Sequence, residues 1–170
     1  FGIILIYGVT GAINYSAIAA SLAATSAPLI LHIGVLMVLA ALCFKIAVVP
    51  FHMWVPDVYE GAPAPIVAFF SVGTKMAGFA VILRLFLTAF GSLSHEWGIL
   101  MAILSAVTII IGNLLAIPQT NIKRFMGYSS IAQAGYILMG VAVASLSGVS
   151  ATLFYMVAYL FSNLCAFAVI

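Results

Sequence analysis

Lys75 stands about 10 residues into an apolar run of about 26, from Pro65 to Phe90. At a rise of about 1.5 Å per residue its amine falls near the middle of one helix. If that helix crosses a bilayer, keeping the lysine charged costs at least about 2.5–3.5 kcal/mol. A neutral amine costs less, so burial opposes the charge, and a lysine able to give up and regain a proton is a usable relay station. The competing reading is a lysine paired with a carboxylate for packing or assembly. Lys45 has a different setting, near the end of a helix that Pro50 interrupts. A helix C-terminus carries partial negative charge, and a break frees backbone carbonyls; both favour a cation. Its competing role is a helix-end lysine that reaches for the membrane surface. His52 follows the break by two residues. Histidine titrates near neutral pH, so His52 can pass protons between Lys45 and the aqueous side, or serve as an interface histidine bonded to backbone.

The remaining polar residues suggest less chemistry. Asp57 and Glu60 are three apart, hence on one face of a short helix, and suit interface or capping roles better than paired acid–base work. Glu96 and His95 fall in a loop and His32 near a helix start. Asn113, Ser129, Ser130, Gln133, Tyr136 and Asn163 interrupt apolar runs, where they can line a hydrated path or, more commonly, bond a neighbouring helix. Trp54, Tyr59 and Trp97 fit interfacial aromatic belts. Cys43 and Cys165 lack metal-ligand spacing and are expected to be small buried hydrophobes. There is no P-loop, no GxGxxG, no CxxC, no haem-ligand pair and no Ser-His-Asp pattern, so any redox chemistry is expected on another chain.

The elements that must position these residues are membrane helices. Of 170 residues 66% are hydrophobic and 5% charged, against roughly 25% charged in a soluble domain. Period-two alternation is absent, which argues against a membrane β-barrel. The net charge of +2 is too small to suggest a nucleic-acid partner. The chain starts and finishes inside apolar runs, and residues 1–170 are expected to be an interior fragment of one longer transmembrane domain.

The expected order begins with a half-span, Phe1 to Ala12, and a mildly polar stretch holding Asn14, Tyr15, Ser16, Ser21, Thr25 and Ser26. Pro28 suits a helix first turn, and the helix it opens runs to about Val49, where Pro50 breaks it. Phe51 to Glu60 forms the short second half of the same broken crossing. After a turn at residues 61–65 come helices at about 65–90, 97–117 and 123–144, and a last one at about 151–170. That makes one partial and five roughly full crossings of about 20 residues each. Alternation of sides places Asp57/Glu60 with Lys123/Arg124 on one face, and residues 13–27, 91–96 and 145–150 on the other. The positive-inside rule assigns Lys123 and Arg124 to the cytoplasmic or matrix side.

The run from Phe44 to Pro65, FKIAVVPFHMWVPDVYEGAPAP, closely resembles a block in the antiporter-like membrane subunits of respiratory complex I. Its tail after Asp57 looks like the subunit N branch, which includes mitochondrial subunit 2 and its chloroplast relatives. Thr74-Lys75 with Arg84-Leu85-Phe86, Gly112-Asn113-Leu114-Leu115-Ala116, residues 119–124 and residues 128–136 match the same family. The resemblance is specific between Phe44 and Tyr136; residues 1–30 and 145–170 add little.

The resemblance implies an all-α, polytopic bundle: part of a 14-helix proton-translocating subunit with two inverted half-channel repeats and a broken helix. It implies that Lys45 is the lysine at that break and Lys75 the central-axis lysine on the next helix. The family's glutamate on an earlier helix, and its lysine or glutamate on a later broken helix, have no counterpart in these residues. The implied enzyme is NADH:quinone oxidoreductase, a translocase whose NADH, FMN, iron–sulfur and quinone sites lie on other subunits. The implied partners are the other membrane-arm subunits, the lipid bilayer and protons. The implied setting is a bacterial inner membrane, or an organellar inner or thylakoid membrane. A subunit of a multisubunit cation/proton antiporter, or a structural membrane-arm subunit, remain the alternatives.

Overall fold

The computed structural model describes residues 1–24 and 27–170. Thr25 and Ser26 of the expected polar stretch lie outside these. The described residues form helices and no strands, in the order α1 (Gly2–Thr10), α2 (Tyr15–Ala24), α3 (Leu29–Ile46), α4 (Trp54–Gly61), α5 (Ala64–Phe69), α6 (Lys75–Arg84), α7 (Ser94–Ala116), α8 (Ile122–Ala142) and α9 (Leu146–Val169). Two π-helical turns, Phe70–Thr74 and Leu85–Ala89, fuse α5 and α6 into one rod from Ala64 to Ala89. That rod, Leu29–Ile46, Gly91–Ala116 and Leu146–Val169 are each long and apolar enough to cross a bilayer. At 21 residues, α8 matches the same thickness at about 1.5 Å per residue.

The packing differs from that of a soluble bundle in its outward faces, which are as apolar as its core. In α7 the inward positions are Trp97, Met101, Ser105, Thr108, Gly112 and Ala116, at helical spacing. Its outward positions Ile99, Ile103, Ile110 and Leu114 are 52–60% exposed. In α9 Thr152, Met156, Tyr159 and Asn163 point inward, while Phe154 and Phe161 point out. Small and polar groups therefore share the inward faces with large apolar ones, while the outward faces are large and apolar, as association within lipid requires. Helices α7 and α8 cross closely: a Cβ at Gly112 would stand 2.7 Å from the Ala132 nitrogen. In the same crossing Ser105 Oγ donates to the Gly135 carbonyl at 2.7 Å.

Several boundaries differ from expectation. The stretch after Ala12 contains a helix, α2, bent 58° from α1. Its apolar Ile18 and Leu22, four residues apart, find a buried seat. The helix before the break, expected as half of a crossing, is long and apolar enough to cross by itself, and it stops at Ile46, ahead of Pro50, because Ala47 adopts the left-handed conformation (φ 63°) and returns its N–H to Cys43 and Phe44. The Val49–Pro50 peptide is cis. Helix α7 begins at Ser94, after a 3-10 turn at Gly91–Leu93, so Glu96 sits in its first turn and not in a loop. Helix α9 begins at Leu146 because the Ser145 hydroxyl caps it, accepting from the Gly148 N–H at 3.1 Å. At the start of α8, Asn121 caps by accepting from the Lys123 and Arg124 N–H groups.

One side assignment inferred from loop alternation, Asp57/Glu60 with Lys123/Arg124, is seen directly. Arg124 pairs with Asp57 and Glu60 at 2.7 and 2.8 Å, so those segments share one face. His32 meets Glu96 at 2.9 Å on the other. A substitution tests the α7–α8 crossing. Gly112→Ala puts a methyl against backbone that cannot move aside, and is expected to destabilise the assembled protein by about 1–3 kcal/mol. Gly61→Ala, with no described atom within 4 Å of its Cβ, is expected to be silent in the same thermal-melt measurement.

Candidate functional site

Lys75 opens α6 directly after the first π-turn. That turn is made possible by hydroxyls that take up backbone carbonyls: Ser71 Oγ donates to Ala68 at 2.7 Å, and Thr74 Oγ1 to Phe70 at 2.6 Å. π-turns within α-helices recur at functional sites because they turn side chains out of ordinary register. Here both Ser71 and Lys75 end up buried.

The lysine amine is 3% exposed as a residue and has three protons to place. It donates to the backbone carbonyl of Ser130 on α8, and to the Ser130 hydroxyl at 2.5 Å. It also lies 5.9 Å from the centre of the Tyr159 ring on α9, within cation–π range. The Ser130 hydroxyl meets Tyr59 OH at 3.0 Å and Tyr159 OH at 2.9 Å. Asn163 of α9 donates to Ser71 Oγ at 2.5 Å. Among the described residues no carboxylate lies within ion-pair distance of Lys75. A buried cation held only by neutral oxygens and an aromatic face is the arrangement in which loss of the proton leaves no orphaned counter-charge.

Lys45 lies in the last turn of α3, the turn expected to favour a cation. Its side chain is exposed on the surface of the described residues. Its stem passes α6: a Cβ built on Gly78 would be 3.8 Å from Lys45 Cγ. The two lysines thus occupy neighbouring helices. His52 is buried, and its Nδ1 has no hydrogen-bond partner among the described residues. The break around it is otherwise well satisfied. Trp54 Nε1 donates to the Phe44 carbonyl at 3.0 Å, Val48 N to Cys43 at 2.9 Å, and Val49 N to Thr108 Oγ1 at 3.1 Å.

Sequence reasoning placed some side chains wrongly. Tyr59 is no belt residue: it is 1% exposed, and its hydroxyl faces Ser130. Trp97 is also internal, its indole donating to the Phe90 carbonyl at 2.9 Å. Cys43 is buried as expected, but Cys165 is exposed on the outer side of α9. Ser130 was visible only as one polar residue among several, and nothing in the sequence marked Tyr159. Asp57 and Glu60 are the surface partners of Arg124, and Asn121 also donates to Glu60 at 3.1 Å. Lys123 donates to the Ala62 carbonyl at 3.1 Å. Among the described residues no three or more His, Cys, Asp or Glu come together as a metal site.

A polytopic helix bundle with a broken helix and a buried, unpaired lysine beside it defines a membrane protein of the antiporter-like class. The chain belongs to the family described as NADH:quinone oxidoreductase/Mrp antiporter, TM, which matches residues 1–170. It is 50% identical over 170 residues to the NADH-quinone oxidoreductase subunit N of Desulforamulus reducens, covering all of this chain and 36% of that protein. It is 46% identical over 170 residues to the NAD(P)H-quinone oxidoreductase subunit 2 of Prochlorococcus marinus, covering all of this chain and 32% of that protein. The chain therefore spans about a third of the length of these relatives. Among solved structures it is similar to a chain of the Mrp complex from Dietzia, with TM-score 0.87 and 29% identity over 98% of this chain and 30% of that one. It is also similar to a chain of respiratory complex I from Thermus thermophilus, with TM-score 0.76 and 33% identity over 98% of this chain and 35% of that one.

The clamp between Arg124 and its two acids predicts a coupled response. Arg124→Gln is expected to lower the thermal midpoint of the assembled protein, and adding Asp57→Asn and Glu60→Gln to it is expected to change little more. Because all three side chains are partly exposed, the effect should shrink as salt is raised; thermal melts over a salt series measure it.

Proposed function

We propose that these 170 residues are an interior transmembrane unit of a longer proton-translocating subunit in the membrane arm of an NADH:quinone oxidoreductase, of the subunit N type. The observation that carries this reading is Lys75, buried at the centre of the bundle and held by neutral oxygens. Its charge is stabilised by hydrogen bonds, not locked by an ion pair, so modest changes around it can shift its proton occupancy. Quinone reduction elsewhere in the complex changes the electrostatic environment of Lys45 and Lys75, and protons pass between the half-channels that these lysines serve. His52 carries protons between Lys45 and the aqueous side; its unpartnered, buried Nδ1 supports that role. The chain contributes to the enzyme as a translocase element. NADH, FMN, the iron–sulfur clusters and quinone are bound by other subunits. Its partners are the neighbouring membrane-arm subunits, and its location is a bacterial inner membrane or a thylakoid membrane.

A second reading has one observation in its favour: the higher TM-score belongs to the Mrp complex chain, 0.87 against 0.76. In that reading the same lysines serve cation/proton exchange. The 50% identity to a subunit N supports the first. Co-purification of the full-length protein with an NADH-oxidising arm decides between them.

In the intact complex, Lys75→Ala is expected to lower proton pumping by at least about tenfold, a conservative floor below the roughly 10²–10⁴-fold that a positioned proton-transfer group supplies, with assembly preserved. Lys45→Ala is expected to act in the same direction. Unchanged pumping in a normally assembled complex would remove that lysine from the relay.

A further inference from the structure

The hydroxyl of Ser130 is surrounded by more hydrogen-bonding groups than one hydroxyl can treat alike. Lys75 Nζ lies at 2.5 Å, Tyr159 OH at 2.9 Å and Tyr59 OH at 3.0 Å. A serine hydroxyl has one proton to donate and two lone pairs with which to accept. A charged ammonium can only donate, so it occupies one lone pair. The serine proton must then go to one tyrosine oxygen, and the other tyrosine donates to the second lone pair. Two arrangements satisfy every group: Ser130 donating to Tyr59, or Ser130 donating to Tyr159. If Lys75 gives up its proton, its nitrogen gains a lone pair and a third arrangement opens. In it the serine proton points at Nζ and both tyrosines donate to Ser130.

All four side chains are buried: Lys75 at 3%, Ser130 and Tyr59 at 1% and Tyr159 at 6% exposure. They come from four different helices, α6, α8, α4 and α9. A hydroxyl orphaned here costs the desolvation of a buried polar group, so the arrangement tracks the state of the lysine.

We propose that Ser130 is a positioning residue for Lys75, a switchable hydroxyl junction in which Tyr59 and Tyr159 are interchangeable acceptors that hold the protonated amine. This deepens the reading above and rests on Lys75 being the proton-bearing group. Through Tyr59 the junction reaches α4, the second half of the broken crossing, whose Asp57 and Glu60 are held by Arg124 at the membrane face. Through Tyr159 it reaches α9. The charge on Lys75 is thereby linked to hydrogen-bond direction on both helices, without net movement of a proton along either arm.

The test is a set of variants in the intact complex, each first checked for normal assembly, with proton pumping measured against quinone reduction. Tyr59→Phe and Tyr159→Phe keep the rings and remove one hydroxyl each. Because either tyrosine alone can take the serine proton, each single variant is expected to lower pumping by less than about twofold, whereas the double variant falls by about tenfold or more, well beyond the product of the singles. Ser130→Ala is expected to match the double variant, and the triple variant to add nothing. Ser130→Thr, which keeps a hydroxyl, is expected to recover part of the loss. Multiplicative effects of the two tyrosine substitutions, or normal pumping in the double variant or in Ser130→Ala, overturn the junction. If the double variant fails to assemble, Ser130→Ala decides alone, with normal pumping against it and a tenfold loss for it. Loss of pumping in Lys75→Ala alongside normal pumping in all the hydroxyl variants would refute the junction and leave the lysine relay standing. Normal pumping in Lys75→Ala would refute the relay itself.

Discussion

The structure is organised around the need to hold one amine in an apolar interior. Lys75 is 3% exposed, and its protons go to the two oxygens of Ser130 and toward the face of Tyr159. Lipid offers no substitute for these partners, so the helices that supply them must stay in register. The π-turn at Phe70–Thr74 sets the register of α6, the small residues of α8 admit its neighbours, and the inward face of α9 brings the aromatic ring. At Gly127 a Cβ would stand 3.2 Å from the Pro56 Cα, so glycine is what lets α4 lie close enough for Tyr59 to reach Ser130.

The broken crossing serves the same purpose from the other side. A continuous helix would carry residues 47–53 past the bundle with their backbone groups paired internally. The break instead leaves donors and acceptors that other elements take up: Thr108 receives the Val49 N–H, and Trp54 caps the Phe44 carbonyl. Irregular backbone at membrane depth is tolerated where protein surrounds it, and Ala47, Val48 and Val49 are all buried. Lys45 gains the negative end of α3 as its local environment, and Lys75 has no such helix end. The two lysines are chemically alike but differently placed: Lys45 stands exposed in the last turn of a helix, and Lys75 is buried and held by the carbonyl and hydroxyl oxygens of Ser130.

The polar residues scattered through the crossings are mostly joints between helices. Gln133 accepts from Tyr155 at 2.5 Å, Asn163 donates to Ser71, and Ser105 ties α7 to α8. Their outward neighbours are large and apolar. The result is a bundle with polar joints inside and a greasy surface, and among the described residues Lys75 is the one buried Lys, Arg, Asp or Glu.

Much of this was determined by the sequence alone. So few charges on so much apolar chain admit only a membrane protein, Pro50 marks a break, and loop alternation predicts that Arg124 shares a face with Asp57 and Glu60. The residue run around Lys45 and His52 carries the family resemblance. What the tertiary structure decided is which polar groups meet Lys75. Ser130 is 55 residues from the lysine and Tyr159 a further 29 from Ser130, and no periodicity links them. In a soluble protein hydrophobicity separates inside from outside. Here the outer face of α9 is as apolar as its inner one, so nothing in hydropathy assigns Cys165 to the surface, and Tyr59 is an amphipathic residue type that suits a membrane interface as well as a core. Helix starts at Ser94 and Leu146 were obscured for a related reason: a 3-10 turn and a serine cap settle them through local geometry, not through a change in hydropathy. Residue types showed that a lysine stands within an apolar run, and only the packing of four helices showed what holds it.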